Sequence, residues 1–128
     1  MPIIPTVRCS SMKASLAFYC QVLDFVQVDK PDWLEDPSFC TLQRDDGWIH
    51  LSSFGGDGTF GQAVAIVVED IDALFQKFLD RGLRIPERDS PVHRGPLEQS
   101  WGTREFYVDD PDRNTLRFIQ FANTASSA

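Results

Sequence analysis

The chain has 128 residues, of which 42% are hydrophobic and 24% charged, a composition typical of one globular domain or of two small halves that share a core. Its 19 acidic and 12 basic residues give a net charge of −7, which argues against a nucleic-acid partner. No apolar stretch approaches the roughly 18 residues of a membrane helix, and the first residues do not resemble a signal peptide. We therefore expect a cytoplasmic protein that binds no membrane.

The three cysteines, Cys9, Cys20 and Cys40, are odd in number, widely spaced and placed in apolar surroundings. Disulfides or a zinc site would favour pairs or a Cys-x-x-Cys spacing. The pattern therefore predicts buried free thiols in a reducing compartment.

The first half of the chain predicts one helix and four strands. Apolar residues recur at helical spacing over 11–23, where Ser11 can cap the amino end. Alternating patterns predict strands over 3–8, 25–29, 39–44 and 48–53, and Asp46-Gly47 favours a tight turn between the last two.

The second half repeats this order. A helix is predicted over 70–81, with Asp70 as its cap and Gly82 as its terminator, and strands over 64–68, 83–86, 103–108 and 115–121. The two helices align at an offset of 59 residues, which places Met12 opposite Ile71. The turn-rich segment 109–114 separates the last two strands.

These elements predict an α+β fold built from two βαβββ modules, with curved, mixed but mostly antiparallel sheets and the helices on the outer face. The modules are expected over 1–54 and 62–122, joined by the glycine-rich segment 55–61 and followed by a tail over 123–128. Each half alone is too small to bury both faces of a sheet, so the halves should combine.

Alternation divides each predicted sheet into two faces. One face is apolar and should lie beneath the helices; it comprises Ile3, Pro5, Val7, Cys40, Leu42, Ile49, Leu51, Phe106, Val108, Leu116 and Phe118. The opposite face mixes aromatic and polar groups. Such a face is often simply solvated, but aromatic walls with a few polar groups are also typical of small-molecule sites. The number of large side chains favours a cleft.

The duplicated order, the segment Phe18-Tyr19 to Asp24-Phe25 and the segment Asp110-Pro111-Asp112-Arg113-Asn114 resemble the vicinal oxygen chelate superfamily. That superfamily includes glyoxalase I, extradiol dioxygenases, fosfomycin-resistance transferases and bleomycin-resistance proteins. Asp24 and Arg113 stand where these signatures usually have glycine.

The segment Trp101-Gly102-Thr103-Arg104-Glu105-Phe106 resembles the bleomycin-resistance branch most. The resemblance implies a homodimer that binds a drug in clefts between its subunits without chemistry. The positions that match the branch are Phe39, Ser52 and Trp101.

Enzymes of the superfamily hold a divalent metal with His, Gln or Glu. The resemblance places the ligand positions at Ile4, Val64 and Arg117, none of which can ligate a metal, and it leaves His50 alone. We therefore expect no metal and no other cofactor.

The leading hypothesis is a small-molecule binding protein that sequesters a drug or metabolite in a cleft at a dimer interface. The predicted ligand-binding residues are Arg8, Phe39, Trp48, His50, Ser52, Trp101, Glu105, Tyr107 and Arg117. One alternative is a metal-dependent lyase, isomerase or dioxygenase, and another is a metal-free acid/base enzyme that uses His50 and Glu105. A third is a module that acts through a partner protein.

Three finer expectations concern single side chains. A buried Arg117 should contact Glu105, directly or through a water, because an unpaired buried guanidinium is costly. His93 should be a solvated loop residue. Trp101, and less strongly Trp33, should border the cleft.

Overall fold

The computed structural model describes residues 1–29 and 35–122 and contains two four-stranded sheets. The strands are β1 (Thr6–Arg8), β2 (Val26–Gln27), β3 (Phe39–Arg44), β4 (Gly47–Ser52), β5 (Ala63–Val67), β6 (Leu97–Glu98), β7 (Thr103–Asp109) and β8 (Thr115–Phe121). The helices are α1 (Met12–Leu16), which continues as a π-helical turn over Ala17–Val22, and α2 (Ile71–Asp80). A short 3₁₀ turn covers Pro91–His93.

The two sheets share one topology, which confirms the predicted α+β fold of two βαβββ modules. Their strand orders are β1-β4-β3-β2 and β5-β8-β7-β6. In each sheet the first strand pairs in parallel with the last, and the remaining pairs are antiparallel. The connection from the first strand to the second carries the helix, which lies on one face of its sheet.

Both helices begin at the predicted caps. The Ser11 side chain accepts a hydrogen bond from the backbone N–H of Ala14 at 3.2 Å, and the Asp70 side chain accepts one from Ala73 at 3.3 Å. Gly82 follows α2 with a φ of 105°, a left-handed conformation that favours glycine. Within the described residues, no helix is long and apolar enough to cross a bilayer.

Several strands differ from their predicted bounds: β2 is shorter, β4 and β5 begin one residue earlier, and two differences are larger. Residues 83–86 form no strand, and the two-residue β6 takes that place in the sheet. The first strand begins at Thr6 rather than Ile3, since Pro5 has no N–H to donate and contributes only its carbonyl, which accepts from His50 at 2.9 Å.

The hairpin turn of the first sheet lies one residue earlier than predicted. Arg44 pairs with Gly47, so the turn residues are Asp45 and Asp46. Asp45 adopts the positive φ of 53° that this turn requires.

One hydrophobic core lies beneath both helices and joins the two modules. Of the predicted core set, all members are buried except Ile3, which is 82% exposed, and Pro5, which is half-buried. Met12 and Ile71, the equivalent first residues of the two helices, are both completely buried. The opposite faces of both sheets are left open.

Polar contacts fix the two modules to each other at the ends of β1 and β8. The buried Asp110 carboxylate accepts a hydrogen bond from the Tyr19 hydroxyl at 2.7 Å, and the Asn114 amide donates to the Arg8 carbonyl at 2.9 Å. Gly58, with a φ of 68°, lies so close to β1 that a Cβ there would be 3.1 Å from the Thr6 carbonyl oxygen. These contacts between the modules therefore help to determine how the open faces of the two sheets are arranged.

The two residues that replace family glycines both adopt positive φ, 61° at Asp24 and 65° at Arg113. Asp24 offsets its backbone strain with ion pairs, since its carboxylate lies 2.6 Å from Lys77 and 3.5 Å from Arg81. The hydrogen bond from Lys77 lowers the pKa of Asp24 despite partial burial.

Candidate ligand-binding site

The open face of the second sheet is formed by alternate residues of β7 and β8. On β7 these residues are Thr103, Glu105, Tyr107 and Asp109; on β8 they are Thr115, Arg117 and Ile119. The antiparallel register pairs Tyr107 with Arg117 and Glu105 with Ile119. Neighbouring side chains on this face are therefore close enough to contact one another.

Glu105 is the buried centre of this face, with 3% of its surface exposed. Its carboxylate accepts hydrogen bonds from the Trp101 indole at 3.0 Å, from the Thr103 hydroxyl and from the Tyr107 hydroxyl at 3.1 Å. Burial alone would raise the pKa of Glu105, but these three donors, aided by the charge of Arg117, outweigh it and lower the pKa. Glu105 is therefore an ionised group that accepts three hydrogen bonds from within the protein.

Trp101 lies in the loop before β7, and 66% of its surface is exposed. The hydrogen bond from its indole N–H to Glu105 fixes the edge of the ring, while the ring itself stays open to solvent. A large exposed ring held in one orientation provides a platform for stacking.

Arg117 lies on the same face but not in the predicted contact. Its guanidinium carbon is 5.2 Å from the centre of the Tyr107 ring, and no carboxylate of a described residue lies within 4.0 Å of it. The expectation was a buried Arg117 that contacts Glu105 directly or through a water. The burial and the direct contact are wrong, because Arg117 is exposed and lies over the ring of Tyr107, whose hydroxyl donates to Glu105. The reason is the register, which places Tyr107 directly opposite Arg117.

His93 was expected in solvent, and this expectation is wrong. Only 8% of its surface is exposed. Its Nδ1 lies 2.7 Å from the Ser90 hydroxyl and its Nε2 lies 2.9 Å from Asp109, and its ring packs edge-on against Tyr107. These contacts attach the 3₁₀ turn to the end of β7, so His93 forms one side of the open face.

Asp109 is neutralised where it meets this turn. Arg88 donates to its carboxylate at 2.6 Å, and His93 contacts its other oxygen. Burial would raise the pKa of Asp109, but these two partners outweigh burial and lower it. Asp109 therefore holds the 3₁₀ turn and offers little free charge to a ligand.

The open face of the first sheet has stacking contacts and fewer hydrogen bonds. The rings of Phe39 and His50 lie 4.7 Å apart, and the Arg8 guanidinium lies 4.7 Å from the Phe60 ring. The Ser52 hydroxyl donates to Asp57 at 2.7 Å. The Arg8 Nε is buried and has no hydrogen-bond partner among the described residues.

The structure brings together some of the predicted site residues and separates others. Four form one connected group on and beside the second sheet (Trp101, Glu105, Tyr107, Arg117), and five lie on the first sheet (Arg8, Phe39, Trp48, His50, Ser52). Trp48 is in β4, two residues before His50, and also borders an open groove of about 980 Å³ that residues 64–70 line. Trp33 lies outside the described residues.

The predicted acid/base pair is not assembled. His50 and Glu105 belong to different sheets, and no hydrogen bond joins them. The Glu105 oxygens already accept three hydrogen bonds, so this carboxylate is poorly placed to take a proton from a substrate.

The residues at the metal positions implied by the family do not fit a metal. Ile4 offers no donor atom, Val64 is buried in the core, and Arg117 places a positive charge on the open face. In the described part of the chain, no three His, Cys, Asp or Glu side chains converge.

Burial raises the pKa of the Cys9 thiol to about 11 and that of Cys40 to about 12, so both remain protonated at neutral pH.

Comparison with known proteins assigns the family. The family model described as "Glyoxalase/Bleomycin resistance protein/Dioxygenase superfamily" matches residues 4–118. The chain belongs to this superfamily. It is 29% identical to bleomycin resistance proteins of Geobacillus stearothermophilus and Staphylococcus aureus over 135 aligned positions, which cover 91% of this chain and 94% of theirs.

Solved structures with the same fold include two proteins related to bleomycin. A bleomycin resistance determinant encoded on the transposon Tn5 superimposes with a TM-score of 0.75 at 21% identity, over 94% of this chain and 98% of that one. A bleomycin-binding protein from Streptomyces verticillus, in complex with copper(II)-bleomycin, superimposes with a TM-score of 0.65 at 26% identity, over 96% of both chains.

Proposed function

We propose that this protein binds and sequesters a small aromatic molecule on the open faces of its sheets. Its likeness to the bleomycin-binding protein of Streptomyces verticillus, solved in complex with copper(II)-bleomycin, supports the proposal. The observation that carries the proposal is the contrast between Trp101 and Glu105. A buried carboxylate fixes the edge of a ring that is itself left in water.

This arrangement is unfavourable for a side chain that serves only stability. An exposed indole gains little from burial, and Glu105 loses hydration to hold it. The same arrangement favours ligand binding, because a ring fixed beforehand loses little conformational entropy when a ligand stacks on it. Further exposed rings lie on or beside the open faces, among them Phe39, Phe60 and Phe121.

The site is better suited to binding than to chemistry. Three of the four acceptor positions of Glu105 are used by Trp101, Thr103 and Tyr107, and Asp109 is held by Arg88 and His93. A proton acceptor in contact with substrate would need a free lone pair. Sequestration of a ligand requires only that the shape and charge of the face complement those of the ligand.

We further infer that the protein works as a homodimer. Both helices share one core within the chain, so the open face of each sheet has no cover from its own module. A second copy could place one open face across another and enclose a ligand between them. Sedimentation of the dilute protein should give about twice 14.5 kDa, and a monomer at micromolar concentration would contradict the dimer.

The binding proposal is tested by calorimetric titration with metal-free bleomycin. The wild type should bind, and Trp101→Ala should weaken binding by about tenfold or more, since stacking on a fixed ring contributes on the order of 1 kcal/mol or more. Ile85→Ala is the matched control, because Ile85 is an exposed apolar residue outside both sheets. Equal affinity in wild type and Trp101→Ala would contradict the proposed site.

A further inference from the structure

Four of the nine arginines of this chain form ion pairs among the described residues; Arg84, Arg94 and Arg113, which lie outside the strands, form none, and neither do Arg8 and Arg117. Arg44, Arg81, Arg88 and Arg104 each form an ion pair with an aspartate or glutamate. Arg8 and Arg117, which lie on the open faces, have no carboxylate within 4.0 Å among the described residues. An acidic chain therefore leaves two guanidinium groups without a counter-charge on the faces where a ligand is proposed to bind.

Arg117 is held in place by an aromatic ring rather than by an acid. Its guanidinium lies over Tyr107, and the Tyr107 hydroxyl donates to the buried Glu105. The contact with the ring uses none of the guanidinium N–H donors in a hydrogen bond, and no described protein atom accepts a hydrogen bond from them. A guanidinium presented in this way matches the paired oxygens of a carboxylate, sulfonate or phosphate.

The two carboxylates near Arg117, those of Glu105 and Asp109, have protein partners and therefore do not favour a cationic ligand over an anionic one. Glu105 is buried and accepts three hydrogen bonds, and Asp109 pairs with Arg88 and His93. A cationic ligand on the second sheet would meet Arg117 without finding a free carboxylate in the described part of this face. An anionic ligand would meet open N–H donors.

We propose that Arg117 binds an oxyanion group on the same aromatic ligand that stacks on Trp101. This inference rests on the proposed binding function and adds the charge of the ligand to it. Trp101, Glu105, Tyr107 and Arg117 form one connected row, so a single molecule with a ring at one end and an oxyanion at the other can contact both ends of it.

The test uses probes that share one ring and differ in charge. They are 1-naphthoate, 1-naphthalenesulfonate, 1-naphthyl phosphate, the neutral 1-naphthamide and the cationic 1-naphthylmethylammonium. Each is titrated by calorimetry at low ionic strength into the wild type, Arg117→Gln and Arg84→Gln. Arg84→Gln removes the same charge from an exposed arginine outside the sheets and serves as the control.

In the wild type and in Arg84→Gln, at least one anionic probe should bind about tenfold or more tightly than the amide, and the ammonium probe should bind least. The anion that binds best identifies the oxyanion class. In Arg117→Gln this preference should fall to about twofold or less, while the affinity for the amide stays the same. Trp101→Ala should weaken all the probes alike.

A preference for the cationic probe, or an anion preference that survives Arg117→Gln, would overturn the inference and leave the proposed function in place. The same holds if bleomycin binds in a Trp101-dependent way and no naphthyl probe binds. If neither bleomycin nor any probe binds to the wild type, both the inference and the proposed function are wrong.

Discussion

The two open faces of this protein are built differently. On the second sheet, Glu105, Trp101 and Tyr107 are joined by hydrogen bonds, and Arg117 is held over the tyrosine ring. On the first sheet, Phe39 packs on His50 through ring contacts alone. One face is therefore fixed before a ligand arrives, and the other can adjust its rings.

Because of this difference, we expect the two faces to contribute differently to ligand binding. A fixed constellation determines the orientation of a ligand and costs little entropy on binding, whereas stacked rings without hydrogen bonds adapt to different shapes. We expect the second sheet to define which chemical groups are recognised, and the first sheet to add apolar contact area.

The largest expected effect is on stability. Glu105→Leu leaves three donors without their shared acceptor, so we expect the free energy of unfolding to fall by about 3 kcal/mol. His50→Leu, on the first sheet, removes ring contacts only and should cost less than about 1 kcal/mol. Urea unfolding of both variants measures the contrast, and equal losses would show that the two faces do not differ as described.

A smaller loss of stability is expected when one hydrogen bond is removed from the second face. Tyr107→Phe keeps the ring beneath Arg117 and removes the hydroxyl that binds Glu105. The loss of one hydrogen bond to a carboxylate should cost about 1–2 kcal/mol of unfolding free energy. The melting temperature should therefore fall while the anion preference persists, and unchanged stability would indicate that this hydrogen bond contributes nothing.

The pH dependence of stability should reflect the charge of Glu105 on the second sheet. The pKa of Glu105 is lower in the folded protein than in the unfolded chain, so its contribution is fully present above its unfolded value of about 4.3. It is lost as the pH falls through the lower folded value. The melting temperature of Glu105→Gln should therefore fall less steeply than that of the wild type below about pH 5. Parallel curves would contradict the role of the Glu105 charge.

The sequence predicted the helices, the longer strands and the core because apolar residues recur there at regular spacing. The helix caps Ser11 and Asp70, the strand bounds of β3 and β8 and nearly all of the core follow from period and alternation. The strand β6 has two residues and therefore no period, so it could not be distinguished from the neighbouring loop. The burial of His93 was missed for the same reason.

The face on which each candidate site residue lies could be predicted from the sequence, but the contacts among these residues could not. Alternation places Thr103, Glu105 and Tyr107 on one face, and this spacing was the available signal for the hydrogen bonds that converge on Glu105. The choice of Arg117 as partner of Glu105 failed because it required the register of the last hairpin. That register depends on where the 109–114 turn closes, and the pairing of Asp109 with Thr115 fixes it only in three dimensions.

The smallest expected effect concerns Arg8 on the first sheet. Its Nε is buried without a partner among the described residues, while its guanidinium lies over Phe60. Arg8→Met retains a long side chain against the ring and removes the unpaired donor, so the free energy of unfolding should stay the same or rise by up to about 1 kcal/mol. A loss of more than about 1 kcal/mol in urea unfolding would show that Arg8 stabilises the folded chain through its charge. In that case the first face would also be held by the charge of Arg8, and the two faces would differ only in the hydrogen bonds that converge on Glu105.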